Sequence, residues 1–322
     1  MDSNKLRQID NIISVKTLTF NNIIQIIDIA KKFQLDHTRV NYNRSILCTL
    51  FFEPSTRTAC SFQAAMQRLG GSTITINEEF SSLAKGETFE DMIRTISSYA
   101  DIIVLRHPDK NAINIACKYS NKPIINAGNG TDEHPTQALL DLFTIVNELD
   151  LRIIKSKLTI VFVGDLKNGR TVHSLIYLLA IMYNYNWKFN KEFPKIQFMY
   201  YSPPELELPD EVYGYVVETF GIEQIVVDKL EEAVSHADIL YVTRIQKERF
   251  NNHTVYEKVK SSYCINKDIM TLAKSHMILM HPFPRVDEID KEVDDDPRAV
   301  YFKQIENGLY VRMALIHLLL NQ

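Results

Sequence analysis

From about residue 46 onward, short apolar runs with the character of buried strands alternate with amphipathic stretches of helical period, and this alternation most constrains the fold. Residues 46–52 are nearly all apolar, as a strand buried on both faces requires. Phe62, Ala65, Met66 and Leu69 then recur at i, i+3, i+4 and i+7, one face of a helix, and Gly70-Gly71 stops it. The same reading predicts strands at 72–76, 102–105 and 123–126, helices at 89–100 and 111–119, and a helix opened by Pro135 that runs to about 149. The pattern then restarts with a strand at 158–163 and a helix at 171–183. Further strands are expected at 196–200, 224–227, 239–243 and 277–280, with helices between. The economical architecture is α/β, with two doubly wound parallel-sheet domains of similar size joined by interdomain helices. A chain of 322 residues suits two such cores. One domain is expected over 1–149, with a C-terminal helix over about 303–322 packing back on it, and the other over 150–302.

The function classes excluded at this point are broad ones. A net charge of −4 supplies no basic field for nucleic acid, so any anion site must be made locally by a few placed arginines. No apolar run approaches the roughly 20 residues of a membrane helix. The first twelve residues mix Lys5, Arg7 and Asp10 and lack an apolar segment, which argues against a secretory signal. Cys48, Cys60, Cys117 and Cys264 lie far apart with no CxxC pair, so neither a zinc site nor a disulfide framework is expected. A cytoplasmic location follows as the expectation.

In folds of this kind ligands bind beyond the carboxyl ends of the strands, so the loops there hold the candidates. Glu53-Pro54-Ser55-Thr56-Arg57-Thr58 leads from a strand into a helix N-terminus, where N–H groups, hydroxyls and a guanidinium could gather around an anion. The same residues would also serve as an ordinary helix cap with a surface arginine. The loop 81–87 contains Ser81, Ser82 and Lys85, and by itself reads as a solvated turn. Arg106 closes a buried strand. In 126–137, glycines allow close backbone approach, and His134 and Gln137 stand one turn apart at the mouth of a helix. A histidine there tends to stay neutral and can donate to a carbonyl oxygen, or it can simply cap the helix. Gly164-Asp165-Leu166-Lys167-Asn168-Gly169-Arg170 is not the GxGxxG of a dinucleotide site, so NAD is disfavoured. Arg244 and Gln246 follow another strand, as do His281-Pro282-Phe283-Pro284-Arg285. Of ten glycines, five (Gly86, Gly128, Gly130, Gly164, Gly169) fall in these loops, which favours the site reading over the separate bland ones.

Taken together, Ser55-Thr56-Arg57-Thr58 and His134-Pro135-Thr136-Gln137 resemble the signatures of the carbamoyltransferase family. Residues 163–171, 243–249 and 281–289 are similar to its aspartate branch. The resemblance runs from about 46 to 320. It implies transfer of the carbamoyl group of carbamoyl phosphate to the amine of L-aspartate, giving N-carbamoyl-L-aspartate and phosphate, an early step of pyrimidine biosynthesis. It further implies that residues 1–149 bind carbamoyl phosphate and 150–302 bind aspartate. Ser55, Thr56, Arg57 and Thr58 would hold the phosphate; Arg106, His134 and Thr58 would reach the carbonyl oxygen, and Gln137 the amide. Arg170 would bind the α-carboxylate of aspartate, and Arg244 with Gln246 its side-chain carboxylate. Ser82 and Lys85 would enter from a neighbouring subunit, making a homotrimer with shared active sites, with regulatory chains in a larger assembly left open. Lys85 would touch aspartate as well. Phe283 and Pro284 would line the carbamoyl phosphate site through backbone, joined by a cis peptide.

Two departures from the family pattern stand out. The serine–lysine spacing is one residue short, leaving Ser81 or Ser82 open, and Phe283 stands where leucine is common. No metal or organic cofactor, nucleic acid or membrane is implied. The alternatives are an ornithine-type or other-amine carbamoyltransferase, a non-catalytic trimeric scaffold of the same fold, and a phosphate-binding transport protein. Arg170 and Arg244 suit two carboxylates better than a cationic amine tail, and a scaffold would be free to lose the phosphate arginines.

Overall fold

The computed structural model describes residues 9–37, 39–77, 86–149, 157–189, 195–250, 253–260 and 262–321. The chain divides into two units, Met1–Phe143 with Glu306–Gln322, and Thr144–Ile305. Each is built on one parallel sheet.

The first unit opens with α1 (Phe20–Gln34), which Thr19 starts through a reciprocal capping box with Asn22. Its sheet comprises β1 (Ile46–Phe51), β2 (Ser72–Asn77), β3 (Ile102–His107) and β4 (Ile124–Asn129), in the order β2-β1-β3-β4. The crossovers are α2 (Thr56–Arg68), α3 (Phe89–Ser97) and α4 (Ala112–Tyr119), and α5 (Pro135–Glu148) leaves the last strand. The central strands are apolar on both sides because both faces are covered: Leu47, Cys48, Leu50, Ile102, Ile103, Val104 and Leu105 are fully buried. β2, at the sheet edge, leaves most of its side chains accessible, which matches its Ser/Thr content.

The second unit repeats the scheme with β5 (Lys157–Val163), α6 (Arg170–Phe189), β6 (Lys195–Tyr201), α7 (Asp210–Phe220), β7 (Glu223–Val226), α8 (Leu230–His236), β8 (Ile239–Val242), α9 (His253–Val259), α10 (Lys267–Thr271) and β9 (Ile278–Met280). Its order is β7-β6-β5-β8-β9, again all parallel. One face of the sheet packs Val161, Val163, Leu240, Val242 and Leu279 into an aliphatic core. Phe162 is the hub of an aromatic group, with Phe198, Tyr200 and Tyr241 at ring separations of 5.9, 6.0 and 5.8 Å. α11 (Tyr301–Leu320) ends the fold.

The order of each sheet reverses once. In the first unit the chain passes from β1 outward to β2 and then crosses to β3, so the crevice at the carboxyl ends lies between β1 and β3. In the second unit the corresponding crevice lies between β5 and β8. Among the described residues no helix is long and apolar enough to cross a membrane.

Because Phe162 is fully buried at the centre of its aromatic group, Phe162→Ala should cost about 3–5 kcal/mol. The fall should appear in the urea unfolding midpoint; a loss below about 1 kcal/mol would mean that the group packs loosely.

Candidate active site

At the reversal point of the first sheet, two loops are tied together by one side chain. β1 and β3 run in register to the pair Phe51–Arg106, and the Phe52 N–H then donates to the Arg106 carbonyl at 2.8 Å. The Arg106 side chain reaches across to the loop after β1, with Nε 3.1 Å from Glu53 Oε2 and Nη1 3.3 Å from Ser55 Oγ. Ser55 is the N-cap of α2 but makes no side-chain cap bond, so its hydroxyl serves Arg106 and not the helix. Thr56 and Arg57 follow as exposed residues of the first turn, and Thr58 is buried. A helix N-terminus with the hydroxyls of Ser55, Thr56 and Thr58 and two guanidinium groups at hand has the chemistry that an anion site needs.

β4 leads into a loop built on side-chain amides. Asn126 Oδ1 accepts from Gly128 N at 2.8 Å, and Asn129 Oδ1 accepts from Glu133 N at 3.1 Å. The Glu133 carboxylate turns inward, accepting from Ser14 Oγ at 2.5 Å and Val15 N at 2.8 Å; burial pushes its pKa up while those bonds pull against it. The next residue, His134, is buried with Nδ1 3.5 Å from Thr136 Oγ1. Gln137, also buried, donates its side-chain N–H to Asp141 Oδ1 at 2.8 Å. His134 and Gln137 thus stand at the start of α5, at the carboxyl end of the same sheet as Ser55 and Arg106.

In the second unit the loops after β5 and β8 are joined in the same manner. Gly164 takes φ +118°, and a Cβ there would lie 2.3 Å from the Thr243 carbonyl oxygen and from the Tyr263 hydroxyl, so only glycine fits. Fully buried Asp165 accepts from Asn168 N at 3.0 Å and from Gln246 N at 3.4 Å. Burial raises its carboxyl pKa, and the bonds from Asn168 and Gln246 oppose that rise. The Gln246 side chain donates to the Asn168 carbonyl at 3.1 Å, placing it against the loop that carries Arg170 into the first turn of α6. Arg244 pairs through both terminal nitrogens with Glu248, one of them at 3.0 Å. Burial raises the Glu248 pKa, but the bond and charge of Arg244, a backbone hydrogen bond and the charge of Arg249 together outweigh it and hold the carboxyl below its usual range. Arg244 also lines a cavity of about 220 Å³ together with Lys247, Lys260, Tyr256, Tyr263 and Glu288.

After β9 the Phe283–Pro284 peptide is cis, as expected, and Phe283 lies at φ +56°, a strained setting for a non-glycine residue. Its N–H donates to His281 Nδ1 at 2.8 Å, so only backbone carbonyls there can serve a ligand. Because Nδ1 accepts, His281 Nε2 carries the proton given to Glu288 Oε1 at 2.6 Å. Ser82 and Lys85 fall outside the described residues. The carboxylates Glu53, Asp141, Asp165, Glu248 and Glu288 went unassigned in the sequence reading, although the i, i+4 spacing of Gln137 and Asp141 was a usable signal.

Residues 10–147 match the carbamoyl-P binding domain of aspartate/ornithine carbamoyltransferases, and residues 156–319 match the Asp/Orn binding domain. The chain belongs to the aspartate/ornithine carbamoyltransferase family. It is 47% identical over 314 residues to the aspartate carbamoyltransferase catalytic subunit of Methanocaldococcus jannaschii, covering 95% of this chain and 96% of that one. The crystal structure of that catalytic subunit superposes with a TM-score of 0.83 at 45% identity, covering 97% and 98% of the two chains. The aspartate transcarbamoylase of Trypanosoma cruzi in complex with N-(phosphonacetyl)-L-aspartic acid gives a TM-score of 0.85 at 40% identity, covering 96% and 95%. Longer relatives also match: the chain is 52% identical over 273 residues to the multifunctional protein pyr1-3 of Dictyostelium discoideum, which is 85% of this chain and 12% of that protein. It spans 13% and 16% of two other multifunctional relatives, from Squalus acanthias and Neurospora crassa.

The buried Glu288 carboxylate makes a pH-dependent contribution. Burial raises its pKa, but hydrogen bonds from His281 and from the Val286 N–H outweigh that and hold it below the ordinary 4.5. A depressed carboxyl adds stability above its unfolded pKa and loses it as pH falls through the folded value. Glu288→Gln should therefore be less stable than the parent at neutral pH, with the gap closing below pH 4.5. Urea midpoints across that range check it; a gap that widens in acid would contradict the assignment.

Proposed function

We propose that this chain is an aspartate carbamoyltransferase, which transfers the carbamoyl group of carbamoyl phosphate to the amine of L-aspartate and releases phosphate. The observation that carries the proposal is the tie between Arg106 and Ser55, which draws the cations and hydroxyls of two loops to one crevice. In this reading the helix N-terminus with Ser55, Thr56, Arg57 and Thr58 takes the phosphate. Arg170 takes the α-carboxylate of aspartate, and Arg244 with Gln246 its side-chain carboxylate. Two guanidinium groups suit a dicarboxylate, whereas ornithine ends in a cation that they would repel.

The unprotonated amine attacks the carbamoyl carbon. The carbonyl electron pair moves to oxygen, giving a tetrahedral oxyanion that Arg106, His134 and Thr58 stabilise as charge develops. Collapse expels phosphate, whose leaving charge Arg57 stabilises, and a phosphate oxygen accepts the amine proton. Each group lost from such a set costs about 10²–10³ in turnover.

Ser82 and Lys85 complete the site from a neighbouring subunit, so the active species is a homotrimer, open to regulatory chains in a larger assembly. It works in the cytoplasm, a setting consistent with four unpaired cysteines.

The test offers carbamoyl phosphate with aspartate and with ornithine in parallel, following phosphate release and product mass. Carbamoyl aspartate should form and carbamoyl ornithine should not; product from ornithine alone, or from neither, would overturn the proposal. Arg57→Ala should lower kcat about 10²–10³-fold with a smaller loss of donor binding, and equal losses would refute its leaving-group role. Mixing inactive Lys85→Ala and Arg57→Ala chains should restore part of the activity, since some interfaces would then carry neither defect. No recovery would contradict shared sites.

A further inference from the structure

Gln137, placed above at the carbamoyl amide, cannot choose which end of its own amide faces a ligand. Its Nε2 donates to Asp141 Oδ1 at 2.8 Å, one turn further along α5. A glutamine amide flips readily where its surroundings accept either end, but a carboxylate only accepts and so admits the nitrogen alone. The carbonyl Oε1 is then the end turned to anything else.

Asp141 is itself fully buried, and such a carboxylate persists only with compensating charge and hydrogen bonds. Arg312 of α11, 5% exposed, is the cation coupled to it. Burial draws the Arg312 pKa down to about 10, and the Asp141 charge opposes that fall. The guanidinium carbon also lies 5.2 Å from the ring centre of Phe62, in the helix whose first turn carries Arg57 and Thr58. Gly308, one turn earlier on α11, makes the room: a Cβ there would lie 2.6 Å from Arg312 Nη1.

We propose that Asp141, backed by Arg312, is a positioning residue that fixes Gln137 with its carbonyl oxygen toward the donor substrate, so that the site selects an N–H group and disfavours a methyl in the same place. The inference rests on carbamoyl phosphate being that donor. Carbamoyl phosphate presents an NH₂ group to Oε1, and acetyl phosphate, of the same shape, presents a methyl that leaves this acceptor without a partner. With the amide reversed, Nε2 would meet the NH₂ donor to donor, and the preference would collapse.

Asp141→Asn tests this. Arg312 should attract the new amide's oxygen, turning its NH₂ toward Gln137 and reversing the glutamine. The readout is the inhibition constant of acetyl phosphate, measured against carbamoyl phosphate, divided by the KM for carbamoyl phosphate; phosphate contacts cancel in that ratio. It should fall about tenfold in Asp141→Asn and not fall further when the same change is made in Gln137→Ala. A purely structural role would weaken both ligands and leave the ratio in place. An unchanged ratio, or an equal fall in both backgrounds, would overturn the proposal. Should Asp141→Asn not fold by circular dichroism, Gly308→Ala, which displaces Arg312, should lower the ratio several-fold, and no change there would overturn it. A parent chain that makes no carbamoyl aspartate would instead refute the function proposed above, independently of Asp141.

Discussion

An arginine at the end of a buried strand is costly unless something of opposite charge meets it, and in this chain that partner is a carboxylate carried by a nearby loop. Arg106 leans on Glu53 and Arg244 on Glu248, while away from the strand ends the interior Arg312 of α11 feels the charge of Asp141 on α5. The first two pairs are only partly withdrawn from solvent, so the carboxylate is a holder that a better-placed anion can replace. The third is buried, so its charges are fixed and set direction instead. Within each unit the site arginines of the proposed function thus stay ordered without a ligand, because neighbouring acids stand in. The arginines are then aimed before the ligand arrives, which reduces the ordering cost of binding.

Sheet topology decides where such pairs can form. A parallel sheet sends every strand's carboxyl end to one side, and the reversal between β1 and β3, or between β5 and β8, opens a crevice in which neighbouring loops diverge. At the first crevice the link is the side chain of Arg106; at the second it is Asp165, whose two oxygens serve both loops. Close approach there depends on Gly164, where any side chain would collide with Thr243 and Tyr263.

Much of this was legible in the residues. Strands buried on both faces advertise themselves as continuous apolar runs, and with the more accessible edge strands β2 and β7 the expected strands lie within a residue or two of the observed ones or, for β4, three. Helices were harder at their ends: α6 runs on to Phe189 past the last clear apolar repeat, whereas α11 begins at Tyr301, two residues before the expected start. α1 lies ahead of the strand–helix alternation that begins near residue 46, and its one local mark is the capping box of Thr19 and Asn22. Arg106 and Arg244 stood out as candidates because arginine after an apolar strand is conspicuous. Their carboxylate partners did not, because an acid in a loop or helix looks solvated until a fold brings it to a guanidinium. Burial of Asp165 follows from the packing around its sheet and no local pattern announces it, while for Asp141 the one local mark is its i, i+4 spacing from Gln137.

The exchange of an internal carboxylate for a ligand anion is open to a direct measurement. Calorimetric titration of carbamoyl phosphate into the parent chain and into Glu53→Gln compares Arg106 with and without its competing charge. Binding about tenfold tighter in Glu53→Gln, with the difference shrinking as salt is raised, is the predicted result. Binding that is unchanged or weaker would show that Glu53 holds Arg106 in place for the ligand without competing with it, and would contradict the exchange.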